Sequence, residues 1–234
     1  MIKVLASGSK GNCYTVQAGG EILLLECGIG WKDILKGLNF DLSKVVGCLV
    51  THEHKDHCKA VNEVMKAGID VYMSEGTAAG IEFKNHIYDY RVNTVKDDIF
   101  HVGNFKVLPF RVQHDTNEPL GFLIYHKDIG KIVFVTDTYY LKYVFHNVDH
   151  ILVECNYSER DIKDLPEYKI RVLRSHLSLE TLQESLMLWD LEGTKTITLI
   201  HLSESNSDAD YFKEEIEFTT GKRTFIAVPG LEVV

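Results

Sequence analysis

The stretch "LVTHEHKDHC", Leu49 to Cys58, places three histidines and two carboxylates within six consecutive residues, directly after an apolar run. Side chains of this kind titrate, repel one another and resist burial, so a cluster this dense demands either open solvent or a bound cation. Val45 to Val50 reads as a buried strand, and the ligand-rich segment begins at Thr51, where that strand leaves the core. The segment therefore sits on a strand-end loop. With the backbone extended through the turn, His52, His54 and Asp56 face one side and His57 opens a helix from Lys59. Imidazoles with a carboxylate suit zinc, or manganese and iron, without any sulfur ligand. The protease pattern H-E-x-x-H does not apply, because the position that must be its second histidine is Asp56.

Working outward, 234 residues with 45% hydrophobic content suffice for a substantial core, and no linker or low-complexity block divides the chain, which predicts one domain over 1–234. Short apolar runs recur at Ile2–Leu5, Ile22–Leu25, Val71–Met73, Phe105–Phe110, Phe122–Tyr125, Ile132–Val135, Ile151–Val153, Ile197–Ile200 and Phe225–Val228. Their length and β-branched content predict strands, with a hairpin at Gly19-Gly20. Helices are predicted over Lys59–Ala67, ending at Gly68, from an N-cap at Ser178 to near Gly193, and over roughly Asp208–Phe218. Strand-rich stretches with helices after or between them fit an α/β (α+β) fold of two packed sheets with helices outside, better than a doubly wound sheet.

No apolar run approaches the roughly 20 residues of a membrane span, and no leader pattern opens the chain. The five cysteines are odd in number and lack a C-x-x-C pair, which predicts reduced thiols and a cytoplasmic location. A net charge of −9 disfavours a broad nucleic-acid platform, although bound divalent cations reverse the potential of an acidic cleft. The glycine-rich turn "SGSKGN" is no Walker loop, since Lys10 follows Ser9 rather than glycine. The histidines at 86, 101, 126, 146 and 150 have no place in a ligand pattern.

"THEHKDH" resembles the metal-binding signature of the metallo-β-lactamase superfamily, whose four-layer αββα sandwich agrees with the architecture read above. The resemblance implies three further ligands at strand ends, for which His114 in "RVQHDTNEP", Asp137 in "IVFVTDTYY" and His201 in "TITLIHLSES" stand in place. It implies His52, His54 and His114 on one divalent ion, Asp56, His57 and His201 on a second, and Asp137 between them, with zinc first and manganese second as the metals. "VLASGSKGNCYTV", followed in order by "LLLECG", "THEHKDH", "VTDT", "ECNYSE", "SHLSLE" and "HLSESN", narrows this to the YycJ/WalJ-like branch, which is similar to RNase Z, RNase J and cyclic-phosphate phosphodiesterases.

Two positions depart from that pattern. Glu26 stands where the superfamily commonly has aspartate, and Tyr157 follows Asn156 where the branch usually has histidine, so Tyr157 receives no role. The interval from Asp137 to His201 is also too short for the extra nucleic-acid domain of RNase J-like enzymes. The implied activity is dinuclear-metal-dependent phosphodiester hydrolysis, of a 5′-3′ exonuclease type on DNA or RNA ends, in a homodimer. Asp56 and His176 are the implied catalytic residues. His176 would protonate the leaving group from just before a helix start, although Ser175 replaces the glycine of the branch's G-H-L-S element. Ser7, Ser9, Asn12 and His176 are expected to line the substrate pocket, and Arg171 and Arg174 are candidates for substrate phosphate. Hydrolysis of a cyclic nucleotide or small cyclic phosphate is the alternative, followed by thioester or lactone hydrolysis, because fold does not fix chemistry. A non-enzymatic scaffold is disfavoured by the complete set of seven ligands.

Overall fold

The computed structural model describes residues 1–162, 165–173 and 175–233, without the side chains of Tyr168, Arg171 and Val172. The phosphate-binding expectations at Arg171 and Arg174 lie outside what is described.

Two seven-stranded sheets form the body of the molecule. The first holds β1 (Ile2–Ala6), β2 (Cys13–Ala18), β3 (Glu21–Leu25), β4 (Val45–Leu49), β5 (Val71–Met73) and β6 (Val92–Thr94) in chain order, with β14 (Glu232–Val233) added beside β1. The second holds β7 (Phe100–Val102), β8 (Phe105–Arg111), β9 (Leu120–His126), β10 (Gly130–Val135), β11 (His150–Glu154), β12 (Thr196–Ile200) and β13 (Arg223–Ile226), also in order. The helices are α1 (Trp31–Gly37), α2 (Lys55–Cys58), α3 (Val61–Lys66), α4 (Glu75–Gly80), α5 (Glu167–Leu173), α6 (Leu179–Leu188) and α7 (Ala209–Thr220).

The unbroken apolar runs have a physical cause in this stacking, since a strand buried on both faces has no solvent side to alternate with. Leu23 and Leu25 point into the core between the sheets, whereas Leu24 joins Ile34, Val61, Val64 and Met65 under α1 and α3. On the other sheet Ile132 and Phe134 enter the central core, and Val133 and Val135 face Leu179, Leu182, Leu186, Phe212 and Ile216 of α6 and α7. Three cores thus separate four layers, the expected αββα order.

Pairings β3–β4, β10–β11 and β11–β12 are parallel, and β8 runs antiparallel to β9, which runs antiparallel to β10. The C-terminal ends of β3, β4, β8, β10, β11 and β12 therefore lie along one edge of the sandwich. Glu26, Thr51–His57, His114, Asp137, Glu154 and His201 follow or end these strands, so topology gathers residues from across the chain at that edge.

Several local expectations need correction. The chain leaves extended geometry after His54 (φ −62°, ψ 142°), and Asp56 and His57 belong to the helical turn α2 rather than to a strand-end loop. The carbonyl of His54 accepts from the amides of His57 and Cys58, which starts the helix four residues before Lys59. The helix expected over Lys59–Ala67 corresponds to α3 alone, Val61–Lys66, with α2 a separate turn before it. Helix α6 stops at Leu188, with Trp189 as its C-cap, and α7 continues to Thr220 until Gly221 turns left-handed at φ 65°. Ser178 caps α6 as read from the sequence, accepting from Thr181 N, and Asp208, expected as the first residue of the last helix, is instead the N-cap of α7, accepting from Tyr211 N.

Candidate metal centre

Backbone contact brings the ligand segment against the N-terminal turn. Asp56 O accepts from Asn12 N at 2.8 Å, His57 O from Cys27 N at 2.9 Å, and Asn12 O from Gly28 N at 2.9 Å. Gly28 is required at this clasp because a Cβ there would lie 1.6 Å from Asp56 O. Gly28→Ala should lower stability by about 3 kcal/mol, read as a fall in Tm of about 6–12 °C in scanning calorimetry. An unchanged Tm would show that the clasp can open without loss.

Three strand ends in the cluster carry backbone strain. Glu26, Asp137 and His201 adopt positive φ angles of 65°, 41° and 53°. For non-glycine residues such angles cost roughly 1–3 kcal/mol each and survive only where the surroundings impose them.

Asp137 is almost fully buried, and its two oxygens divide the histidines between them. Oδ2 lies 3.8 Å from His52 Nε2 and 3.7 Å from His114 Nε2, while Oδ1 lies 3.5 Å from His57 Nε2 and 3.4 Å from His201 Nδ1. His54 Nδ1 is 3.3 Å from His114 Nε2. Asp56 Oδ2 stands between His57 Nε2 at 3.3 Å and His201 Nε2 at 3.4 Å. Donor atoms of His52, His54, His114 and Asp137 gather within 4.8 Å of one another, and so do those of Asp56, His57 and His201. All seven residues singled out as ligands from the sequence come together.

The donor set fits divalent cations. The buried His52 Nε2 has no hydrogen-bond partner, while its Nδ1 lies 2.9 Å from Thr51 Oγ1, which fixes the ring with the unsatisfied nitrogen toward the cluster. An orphaned imidazole nitrogen among carboxylates is costly unless a cation completes it. His57 Nδ1 is likewise unsatisfied, 3.7 Å from Glu26 Oε1. Glu26 thus reaches the histidine at ion-pair rather than hydrogen-bond distance, and its Oε1 accepts from Thr51 N at 3.2 Å.

Electrostatics divides the histidines into two kinds. Burial pushes His52 and His114 down, toward the neutral form that binds metal. Burial would also depress His57 and His201, but Asp137 and Asp56 outweigh it and hold both up, His201 to about 10. Conversely, burial would raise Asp137 and Asp56, yet the surrounding histidines keep both carboxyls below the usual range. In metal-stripped protein the stabilisation from the His201 cation is whole below its ordinary value of 6.5 and is lost as pH rises through about 10. Melting curves of chelator-treated protein should therefore show Tm falling between about pH 7 and 10. A flat profile over that interval would contradict it.

Glu154 is the residue that sequence reading missed. Fully buried at the end of β11, it places Oε1 2.7 Å from His176 Nδ1 and 2.9 Å from His201 Nδ1, and its Oε2 accepts from Thr138 N and Leu177 N. The available signal was a carboxylate closing the apolar run "ILVE", the same pattern that marks Asp137. His176 stands just before α6, as expected, with Nδ1 3.8 Å from Asp137 Oδ2. Burial opposes protonation of His176, but Glu154 prevails and raises its pKa.

The expected pocket residues separate. Ser7 Oγ accepts from His201 N and Tyr14 OH, and Asn12 Nδ2 lies 3.3 Å from His57 Nε2, so both brace ligands. Ser9 is exposed in the turn before Asn12. Asn156, also missed, donates from Nδ2 to His201 O at 2.9 Å.

An αββα sandwich with this histidine and carboxylate set along one edge defines a metal-dependent hydrolase of the metallo-β-lactamase fold. Residues 23–202 match the family model described as "Beta-lactamase superfamily domain", and the chain belongs to that family. It is 31% identical to exodeoxyribonuclease WalJ of Streptococcus pneumoniae over 87% of this chain and 82% of that protein. It is 30% identical to exodeoxyribonuclease YycJ of Bacillus anthracis, over 87% of this chain and 83% of that one. Among solved structures, the metallo-β-lactamase fold protein YhfI from Bacillus subtilis superposes with a TM-score of 0.75 at 17% identity, covering 98% of this chain and 97% of YhfI. No described helix is long and apolar enough to cross a membrane, and all five cysteines are free and buried.

Proposed function

We propose that the protein is a dinuclear-metal phosphodiesterase that trims the 5′ ends of nucleic-acid strands, with DNA as the first substrate. The division of the Asp137 oxygens between two histidine groups carries this reading, since it is what a carboxylate shared by two cations requires. His52, His54 and His114 would hold one ion, and Asp56, His57 and His201 the other, with Asp137 between. Imidazole and carboxylate donors without sulfur suit zinc, with manganese as the second choice. Bound there, a divalent pair supplies acidified water and charge neutralisation at the phosphoryl oxygens. The exodeoxyribonuclease names of the two relatives support a nucleic-acid end as substrate.

The remaining steps belong to the side chains. Asp56, held ionised by His201 and His57, orients the attacking water by accepting its hydrogen bond. His176 keeps a proton because Glu154 binds Nδ1, leaving Nε2 to protonate the departing alkoxide. Ser7 anchors the His201 backbone by accepting from its amide, and the Asn12 side chain packs against the His57 ring.

The test is hydrolysis of a 5′-labelled single-stranded oligonucleotide, a cyclic nucleotide and bis-p-nitrophenyl phosphate, with zinc or manganese and after chelation. The expected result is metal-dependent shortening from the 5′ end, with the cyclic nucleotide untouched. Cleavage of the cyclic nucleotide alone would move the function to that alternative, which the −9 net charge favours through its preference for compact substrates. Turnover of none of the three would end the phosphodiesterase reading.

A further inference from the structure

The segment after Asp137 has no part in the chemistry above, yet it is fixed more firmly than a surface loop needs to be. Thr138 is buried; its amide donates to Glu154 Oε2 at 3.0 Å, and its hydroxyl accepts from Gln113 N and donates to Tyr140 O. Tyr139 N donates to Gln113 O at 3.0 Å, tying the segment to the residue before His114. Leu141 is buried at the far end. Between these anchors Tyr139 and Tyr140 are each 51% exposed. Two adjacent tyrosines half in water on an immobilised backbone gain little from folding, and the amphipathic rings suit a partner that is flat and partly polar.

Their place decides what that partner is. Consecutive Cα atoms are about 3.8 Å apart, so the Cα of Tyr139 lies within roughly 8 Å of the Cα of Asp137, and the bond from Tyr139 N to Gln113 O sets it beside the residue preceding His114 as well. A substrate whose scissile phosphate lies at the cluster carries its neighbouring bases past this loop. The chain's net charge of −9 weakens general attraction for the phosphate backbone beyond the scissile phosphate, where stacking on exposed rings can supply affinity instead. We infer that Tyr139 and Tyr140 form a stacking platform for the bases flanking the scissile phosphate of a single-stranded DNA end. The inference rests on the nuclease reading and adds to it a subsite that grips bases irrespective of sequence, because every base presents a π-face.

The experiment compares KM for a 5′-phosphorylated single-stranded oligonucleotide with KM for the same strand carrying abasic residues at its two 5′-terminal positions. For wild type the abasic strand should have a KM about tenfold or more higher. Tyr139→Ala/Tyr140→Ala should raise KM for the intact strand by a similar factor and erase its advantage over the abasic strand, whereas Tyr139→Phe/Tyr140→Phe should keep that advantage. Equal KM for both strands in wild type overturns the platform even if the alanine variant does not fold. An undiminished advantage in the alanine variant overturns it as well. A wild type that cleaves no oligonucleotide fails at the earlier step, and the nuclease reading falls before the platform does.

Discussion

Replacing Asp137 by Ala lowers kcat for an oligonucleotide by about 10³-fold or more, equivalent to about 4 kcal/mol of barrier, and reduces bound metal in the same preparation. Four of the five histidines singled out as ligands lie within 3.8 Å of this one carboxylate, two on each oxygen, with His176 beside Oδ2 as well, so its removal affects both halves of the site at once. The loss extends beyond a missing ligand. Asp137 is the strongest influence holding His57 and His201 up against burial, and without it both fall toward the neutral form. Asp137→Asn separates these effects: it preserves shape and one oxygen acceptor but not the charge, and should also lose metal. Elemental analysis beside single-turnover kinetics reads both. A variant retaining two equivalents of metal and near-normal kcat would show that Asp137 is a structural acid and that the two histidine groups bind independently.

What the sequence made legible follows from where physical constraint is local. Val45–Val50 and Ile132–Val135 are readable as strands because burial on both faces leaves unbroken apolar runs, and H-x-H-x-D-H is readable because its donors are neighbours in the chain. The local backbone at Asp56 was not legible, since the turn that makes α2 depends on His54 O and on the clasp with Asn12 and Gly28, the latter pair drawn from another part of the sheet. Glu154 was hidden for a related reason. A carboxylate after a strand is ordinary, and its meaning appears only when β11 and β12 pair and bring His201 to it from 47 residues away. The left-handed angles of Glu26, Asp137 and His201 were not legible because none of the three is a glycine, and aspartate and histidine adopt such angles too seldom for their presence to announce them.

Glu154→Gln tests the proton delivery, and its effect should depend on the leaving group. The glutamine keeps an oxygen for one partner, but its amide opposes the Thr138 and Leu177 N–H donors in one orientation and loses the charge facing His176 in either. His176 then loses its strongest support against burial and keeps only Asp137, so its pKa falls and the protonated form is lost at lower pH. For an oligonucleotide, whose leaving alkoxide needs a proton, kcat should fall about 100-fold, and the alkaline limb of the pH profile should move downward. Bis-p-nitrophenyl phosphate releases a stable phenolate without protonation, so its turnover should change far less. This difference separates His176 from the other partner of Glu154. If both substrates lose activity together and metal content drops, the carboxylate acts mainly through His201, 2.9 Å away, and the general acid must be sought elsewhere. If the oligonucleotide alone is affected with metal retained, the buried glutamate and the half-open histidine work as a proton-holding pair, and His176→Asn should reproduce the same selective loss.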